Sequence, residues 1–313
     1  MSLTAIVTVA PYAPFIDEII KHPMVSGVRL NTAMKIKEKK GELEQVVERL
    51  RDKAGEKDLY IDLKCRQLRV KTFGVPPFTE IELTHSISVD TPVTAYFSDG
   101  EEYATVLEVE GNKLFMQEGP KRTIGPGESI NIPHPSLKVD GYLTDKDKEY
   151  IKAGSAAGVH KYMLSFFEQP EDGTELLLLD PKAEPIYKIE SPRGLDYVRK
   201  NFSGKGRLMA GRGDLFVELS NSESSKPHQI IEAMETILEK DSNAIAASRI
   251  LTSFSKSYMP SCQDISDVDS LVRMGYRTLM LGDDVCMKRE SILSALNLLE
   301  GMMENYHRRG YFK

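Results

Sequence analysis

Three ionisable residues stand out by type and spacing. Residues 186–191, Ile-Tyr-Lys-Ile-Glu-Ser, form a short apolar run ending in Lys188 and Glu190; residues 207–214, Arg-Leu-Met-Ala-Gly-Arg-Gly-Asp, form a second ending in Asp214. A helical spacer separates them, so the runs read as consecutive strands with one cation and two carboxylates at their exits. A hard divalent cation such as Mg²⁺ is held by one or two carboxylates plus substrate oxygens. A lysine beside such an ion supplies a point charge for a phosphate or a developing enolate. The same residues also fit three solvated loop charges, because Lys-x-Glu alone is common. What decides between these readings is where the rest of the chain puts them.

Strand-like and helix-like segments alternate along nearly all of the 313 residues. Strands are expected at 5–9, at 27–31 with Arg29 and Asn31 at its end, and at 59–63 with Asp62 at its end and Lys64 and Arg69 just beyond. Between them, 16–21 reads as a short amphipathic helix. Leu43, Val46, Val47 and Leu50 follow the i, i+3, i+4, i+7 spacing of one buried helical face. From 87 to 137 the rhythm changes to short alternating segments broken by Gly- and Asn-bearing turns, the pattern of a small all-β module. The alternation resumes at Thr144, a candidate N-cap with Asp147 three residues on.

A strand at 162–166 follows. Residues 172–182 read as a truncated helix, although their four consecutive leucines equally suit a strand. After the 186 and 207 strands comes a helix with Ile230, Ile231, Met234, Ile237 and Leu238 on one face. Then follow strands at 244–251 and 278–281 and helices at 266–274 and 289–306. Eight strand–helix pairs predict a (β/α)₈ TIM barrel over 1–86 plus 138–313, with a β-barrel lid domain, 87–137, inserted after strand 3. Catalytic groups of such barrels collect at the C-terminal ends of the strands.

Composition narrows the function classes. The formal net charge is -6, which offers no basic footprint for nucleic acid. No run of 18 apolar residues occurs, so no membrane span is expected, and the first residues lack the pattern of a signal peptide. Cys65, Cys262 and Cys286 are odd in number and far apart, arguing against a disulfide framework or a zinc site and for a cytoplasmic location.

Taken in barrel order, the strand ends present Arg29, Asn31, Asp62, Arg69, Ser165, Lys188, Glu190, Asp214 and Ser248. The segments carrying them are Val-Arg-Leu-Asn, Ile-Asp-Leu-Lys-Cys-Arg-Gln-Leu-Arg, Tyr-Met-Leu-Ser-Phe-Phe, Tyr-Lys-Ile-Glu-Ser, Met-Ala-Gly-Arg-Gly-Asp-Leu and Ala-Ala-Ser-Arg-Ile-Leu. In order and spacing they resemble the pyruvate kinase family over nearly the whole chain, in a short form without that family's C-terminal regulatory domain.

The resemblance implies roles for these positions. Lys188 would stabilise charge on the transferred phosphoryl group and on the enolate, while Glu190 and Asp214 would hold Mg²⁺ or Mn²⁺. Gly213 and Asp214 would receive the substrate carboxylate, Ser248 would stand near the proton delivered to the enolate, and Arg29 and Ser165 would grip the phosphoryl group. Arg69 matches a nucleotide-phosphate contact. Asn31 and Asp62 match two ligands of a K⁺ site. The implied partners are phosphoenolpyruvate or pyruvate and ADP or ATP, with a homo-oligomer through the barrel allowed.

The chain also departs from the family. Ala33 and Leu63 replace the two hydroxyl ligands of the K⁺ site, and Ala33-Met34-Lys35 replaces Ser-His-Gly beside the nucleotide. Pro126-Gly127-Glu128 replaces the lid's basic approach. Ser261-Cys262-Gln263-Asp264 stands for Thr-Arg-Ala-Glu, and Gly282-Asp283-Asp284-Val285 for Ser-Gly-Glu-Thr. The half that would bind Mg²⁺ and an enolate is kept, and the half that would bind ADP and K⁺ is eroded. The expected function is therefore phosphoryl transfer from phosphoenolpyruvate to ADP. The alternative is a Mg²⁺-dependent lyase or decarboxylase acting on the enolate of pyruvate or oxaloacetate without a nucleotide.

Overall fold

The computed structural model describes residues 2–34, 43–220 and 228–311; Lys35 lies outside them. Among the described residues eight parallel strands close into a barrel: β1 (Thr4–Thr8), β2 (Val25–Asn31), β3 (Asp58–Leu63), β4 (Lys161–Leu164), β5 (Glu184–Ile189), β6 (Arg207–Gly211), β7 (Ile245–Ala247) and β8 (Thr278–Leu281). Each strand pairs with its neighbours in sequence and β8 closes on β1, so all eight C-terminal ends open on one face.

The period of two along each strand determines what the barrel interior contains. Ile6, Tyr60, Met163, Ile186, Met209, Ile245 and Met280 form one inner cluster. Two residues further along the same strands come Thr8, Asp62, Ser165, Lys188 and Gly211, so the apolar floor gives way to a polar layer at the open end. Gly27 makes room for this floor: a Cβ there would lie 2.6 Å from the Tyr60 ring.

The helices pack outside the strands. The Thr144 cap is a complete capping box for the helix Asp145–Ala156. The Asp147 carboxylate also accepts from the backbone N–H of Lys64 at 2.9 Å and of Cys65 at 3.0 Å, which ties the turn after β3 to this helix. Residues 174–179 are helical, with Leu176 buried and Leu177 and Leu178 exposed.

Two expectations need correction. Ile231 lies outside the buried stripe of its helix and is 56% exposed, because Ala233, Met234 and Ile237 face the core. The strand expected over 244–251 stops at Ala247, because Ser248, Arg249 and Leu251 take left-handed φ angles of 70°, 56° and 56°.

Between β3 and β4 a five-stranded antiparallel sheet stands over the open end as a lid. Its hydrophobic core includes Leu68, Ile81, Leu83, Phe97, Val106 and Leu114 and is separate from the barrel core. Residues on both sides of 87–137 contribute to it, with Leu68 and Val70 before and Val139 packed against it after. No described helix is long and apolar enough to cross a membrane. The three cysteines are free.

Candidate active site

Asp62, fully buried at the end of β3, is the hub of the site. Arg29 on β2 donates to its Oδ2 from Nε at 2.8 Å and again from Nη2. Lys64 reaches Oδ2 at 3.0 Å, and Lys188 on β5 reaches Oδ1 at 3.3 Å. Burial pushes the Asp62 carboxyl up, but Arg29, Lys188 and Lys64 outweigh it and hold the group well below the usual carboxylate range. Lys64 responds the other way: burial and the neighbouring cations bring its ammonium down to about 7, against the pull of Asp62.

Lys188 is buried within this network. It donates to Ser165 Oγ at 2.8 Å and lies 3.1 Å from Glu190 Oε1. Burial disfavours its charge, yet Asp62 and Glu190 raise its pKa overall, so a fixed ammonium stands at the centre of the open face. Ser165 Oγ donates to Leu63 O at 2.8 Å, leaving a lone pair for the lysine. Phe166, at a left-handed φ of 49°, aims its N–H at Glu190 Oε2 at 2.9 Å.

Glu190 approaches β6 where only glycine fits. A Cβ at residue 211 would lie 2.5 Å from Glu190 Cγ and 2.6 Å from Oε1. Asp214 follows in the first turn of the short helix Arg212–Glu218, where Gln67 donates to its Oδ2 at 2.9 Å and Asn131 of the lid to Oδ1 at 3.1 Å. Burial raises both carboxyls, Asp99 adds to it at Asp214, and Lys188 opposes it at each. Two buried carboxylates that resist ionisation, beside the partnerless buried Asn131 Oδ1, suit a hard divalent cation that would take the place of the protons.

Gly213 and Ser248 lie together. A Cβ at 213 would be 3.4 Å from Ser248 Cβ and 3.2 Å from Asp99 Oδ2 of the lid. The left-handed turn at Ser248 is clamped by Arg212, whose Nη2 donates to Ser248 O at 3.0 Å while its guanidinium pairs with Asp267 at 2.7 Å.

Two of the remaining candidates are engaged elsewhere. Asn31 donates to Asp283 Oδ2 at 2.7 Å and accepts from Ala33 N at 3.0 Å. Arg69 donates from Nε to Gln67 Oε1 at 3.1 Å, so its hydrogen-bonded route to Asp214 runs through the glutamine.

A family model for the pyruvate kinase barrel domain matches residues 78–288. The chain belongs to the pyruvate kinase family. A pyruvate kinase from Thermotoga maritima is 28% identical over 212 residues, covering 66% of this chain and 44% of that protein. One from Thermoplasma acidophilum is 25% identical over 327 residues, covering 96% of this chain and 57% of that protein. The chain thus spans about half the length of the curated pyruvate kinases it matches.

Sequence reasoning missed the parts that come from outside the expected strand ends. Asp283 lies two residues past β8 and was legible as a strand exit, but its reach past β1 to Arg29 and Asn31 on β2 was not. Gln67, Asn131 and Glu218 carry no signal in the sequence, since each reads as an ordinary polar residue of a turn, a lid strand or a helix. The structure links Asn131 to both Asp214 and Glu218.

Proposed function

We propose that this chain is a Mg²⁺-dependent phosphotransferase of the pyruvate kinase kind, moving the phosphoryl group of phosphoenolpyruvate to ADP and releasing pyruvate and ATP. The observation carrying this reading is the buried Lys188 ammonium held between Asp62, Ser165 and Glu190, one strand away from Asp214. Phosphoryl transfer is mostly positioning and charge neutralisation, and this layer supplies both. Lys188 faces the oxygen that becomes the enolate. Backbone N–H groups at Gly213 and Asp214 receive the substrate carboxylate, and Ser248 holds the proton destined for the enolate carbon. Glu190 and Asp214 would hold the divalent cation, which neutralises charge on the substrate oxygens when bound. Arg29 orients the phosphoryl group with Ser165, and Arg69 would meet the nucleotide phosphates only on leaving Gln67, to which it donates. A K⁺ ion would have only Asn31 and Asp62 of the family's side-chain ligands.

The test is pyruvate formation from phosphoenolpyruvate with each nucleoside diphosphate, with and without K⁺, read by coupling to lactate. Mg²⁺-dependent turnover that disappears in a folded Lys188→Met variant is expected. Absence of turnover with every acceptor would overturn the proposal.

One observation favours a second reading. Asp283 lies 3.6 Å from Arg29, so a second carboxylate besides the shared Asp62 already engages the guanidinium assigned to the phosphoryl group. That suits Mg²⁺-dependent chemistry on the enolate of pyruvate or oxaloacetate without a nucleotide. It predicts exchange of the pyruvate methyl protons into D₂O that needs Mg²⁺ but neither phosphate nor nucleotide; no exchange and no decarboxylation would eliminate it.

A further inference from the structure

A cavity of about 270 Å³ lies between the base of the lid and the barrel, and none of Lys188, Glu190, Asp214 or Ser248 lines it. Ile130 at the end of the lid sheet, with Ile132 and Leu137 on the segment that carries the chain from lid to barrel, forms one side; Phe166 and Pro192 form part of the other. An apolar cavity of about 150 Å³ holds a benzene molecule, so this one has room for a ring with a short substituent.

Its polar groups are nearly all satisfied by the protein. Arg66 donates to Glu168 and Asp172, each at 3.0 Å. Arg193 donates from Nη2 to the carbonyls of Pro135 at 2.8 Å and Leu137 at 2.9 Å. Glu168 accepts from Ser191 Oγ at 2.6 Å as well as from Arg66. Glu218 differs. It is nine-tenths buried, it lines the cavity, and among the described residues its hydrogen-bond partner is Asn131, on Oε1 at 3.0 Å. Arg193 lines the same cavity and draws on Glu218 electrostatically, but it forms no ion pair with it among the described residues, so this buried carboxyl in a largely apolar cavity is further stabilised by a cation brought from outside.

We propose that this cavity binds a small apolar primary amine, its ammonium group meeting Glu218 and its hydrocarbon body filling the space between lid linker and barrel. Occupancy is transmitted inward. The Asn131 amide donates to Glu218 and, at 3.1 Å, to Asp214 Oδ1, so an ammonium that draws on the Glu218 carboxyl alters the hydrogen bonding of Asp214. Occupancy also fixes the linker on which the lid is carried. Binding at Glu218 stands independently of the phosphotransferase reading; its effect on a cation at Asp214 rests on it.

The test is calorimetry on the full chain, without substrate or nucleotide, using 2-phenylethylamine and the neutral 2-phenylethanol as probes. Saturable amine binding is expected, with the alcohol about tenfold weaker, as befits loss of one charged hydrogen bond. Glu218→Gln lowers amine affinity about tenfold and leaves the alcohol unchanged, and Leu137→Trp fills the cavity and weakens both probes. Saturating amine shifts the Mn²⁺ affinity of the wild-type protein. Equal binding of amine and alcohol, amine binding that survives both substitutions, or no saturable binding overturns the site. An unchanged Mn²⁺ affinity overturns only the coupling. Since no step is read by turnover, these outcomes stay separate from failure of the phosphotransferase assay.

Discussion

One methyl group at residue 211 should dismantle the proposed cation site without removing either of its carboxylates from the chain. Gly211 sits at φ -83° and ψ 76°, a conformation alanine can adopt, so Gly211→Ala carries no left-handed backbone penalty and the effect is steric. The new Cβ would lie 2.5 Å from Glu190 Cγ, 2.6 Å from Oε1 and 2.9 Å from Cδ. Contact distance between carbons is about 3.5 Å, so the glutamate must retreat by roughly 1 Å. It is held where it is by Phe166 N at 2.9 Å and Lys188 Nζ at 3.1 Å, and it is 2% exposed, so retreat breaks at least one of those bonds. The expected cost is about 1–3 kcal/mol of stability and a loss of about 10–100-fold in Mn²⁺ affinity, as when a supporting contact of a metal ligand is removed. Denaturant unfolding and Mn²⁺ titration by electron paramagnetic resonance measure the two quantities. Gly282→Ala, where a Cβ meets nothing within 4 Å, is the matched control and should change neither. If Gly211→Ala binds Mn²⁺ as tightly as the wild type, Glu190 is not a ligand.

Asp62→Asn leaves Arg29, Lys64 and Lys188 without their shared carboxylate, and a loss of about 3–5 kcal/mol in urea unfolding is expected; a loss under about 1 kcal/mol would show that the three cations do not depend on it. The carboxyls of Glu190 and Asp214 titrate above their unfolded values, so their contribution favours the fold at acid pH and fades as pH rises. A cation that replaces the protons should therefore raise the melting temperature more at about pH 8 than at about pH 6, and equal shifts would contradict the assignment. Asp283→Asn frees Arg29 from its second carboxylate and should lower the KM for phosphoenolpyruvate several-fold, whereas an unchanged KM would mean that Arg29 does not meet the phosphoryl group.

Local pattern alone sufficed for the barrel and for part of its polar layer. A strand alternates faces with period two, so Lys188 above Ile186 and Asp62 above Tyr60 must point where those apolar residues point, into the barrel. The Thr144–Asp147 box and the run of eight strand–helix pairs are likewise short-range signals, and the structure contains both. Arg29, Asp62, Ser165, Lys188 and Glu190 could be singled out because each ends a strand of a parallel barrel, where all ends converge. The path after β7 could not be read, since the left-handed turn at Ser248 is clamped by Arg212 and Asp267, residues far from it in sequence. The same holds for Asp283 on Arg29, for Asn131 between Asp214 and Glu218, and for the fit that only glycine allows at 211. Each depends on distances between segments many residues apart, which no periodicity along the chain encodes. The sequence by itself thus determined which side chains face the open end of the barrel. Their partners, and with them the charge of the site, were decided only when the barrel closed and the lid came down on it.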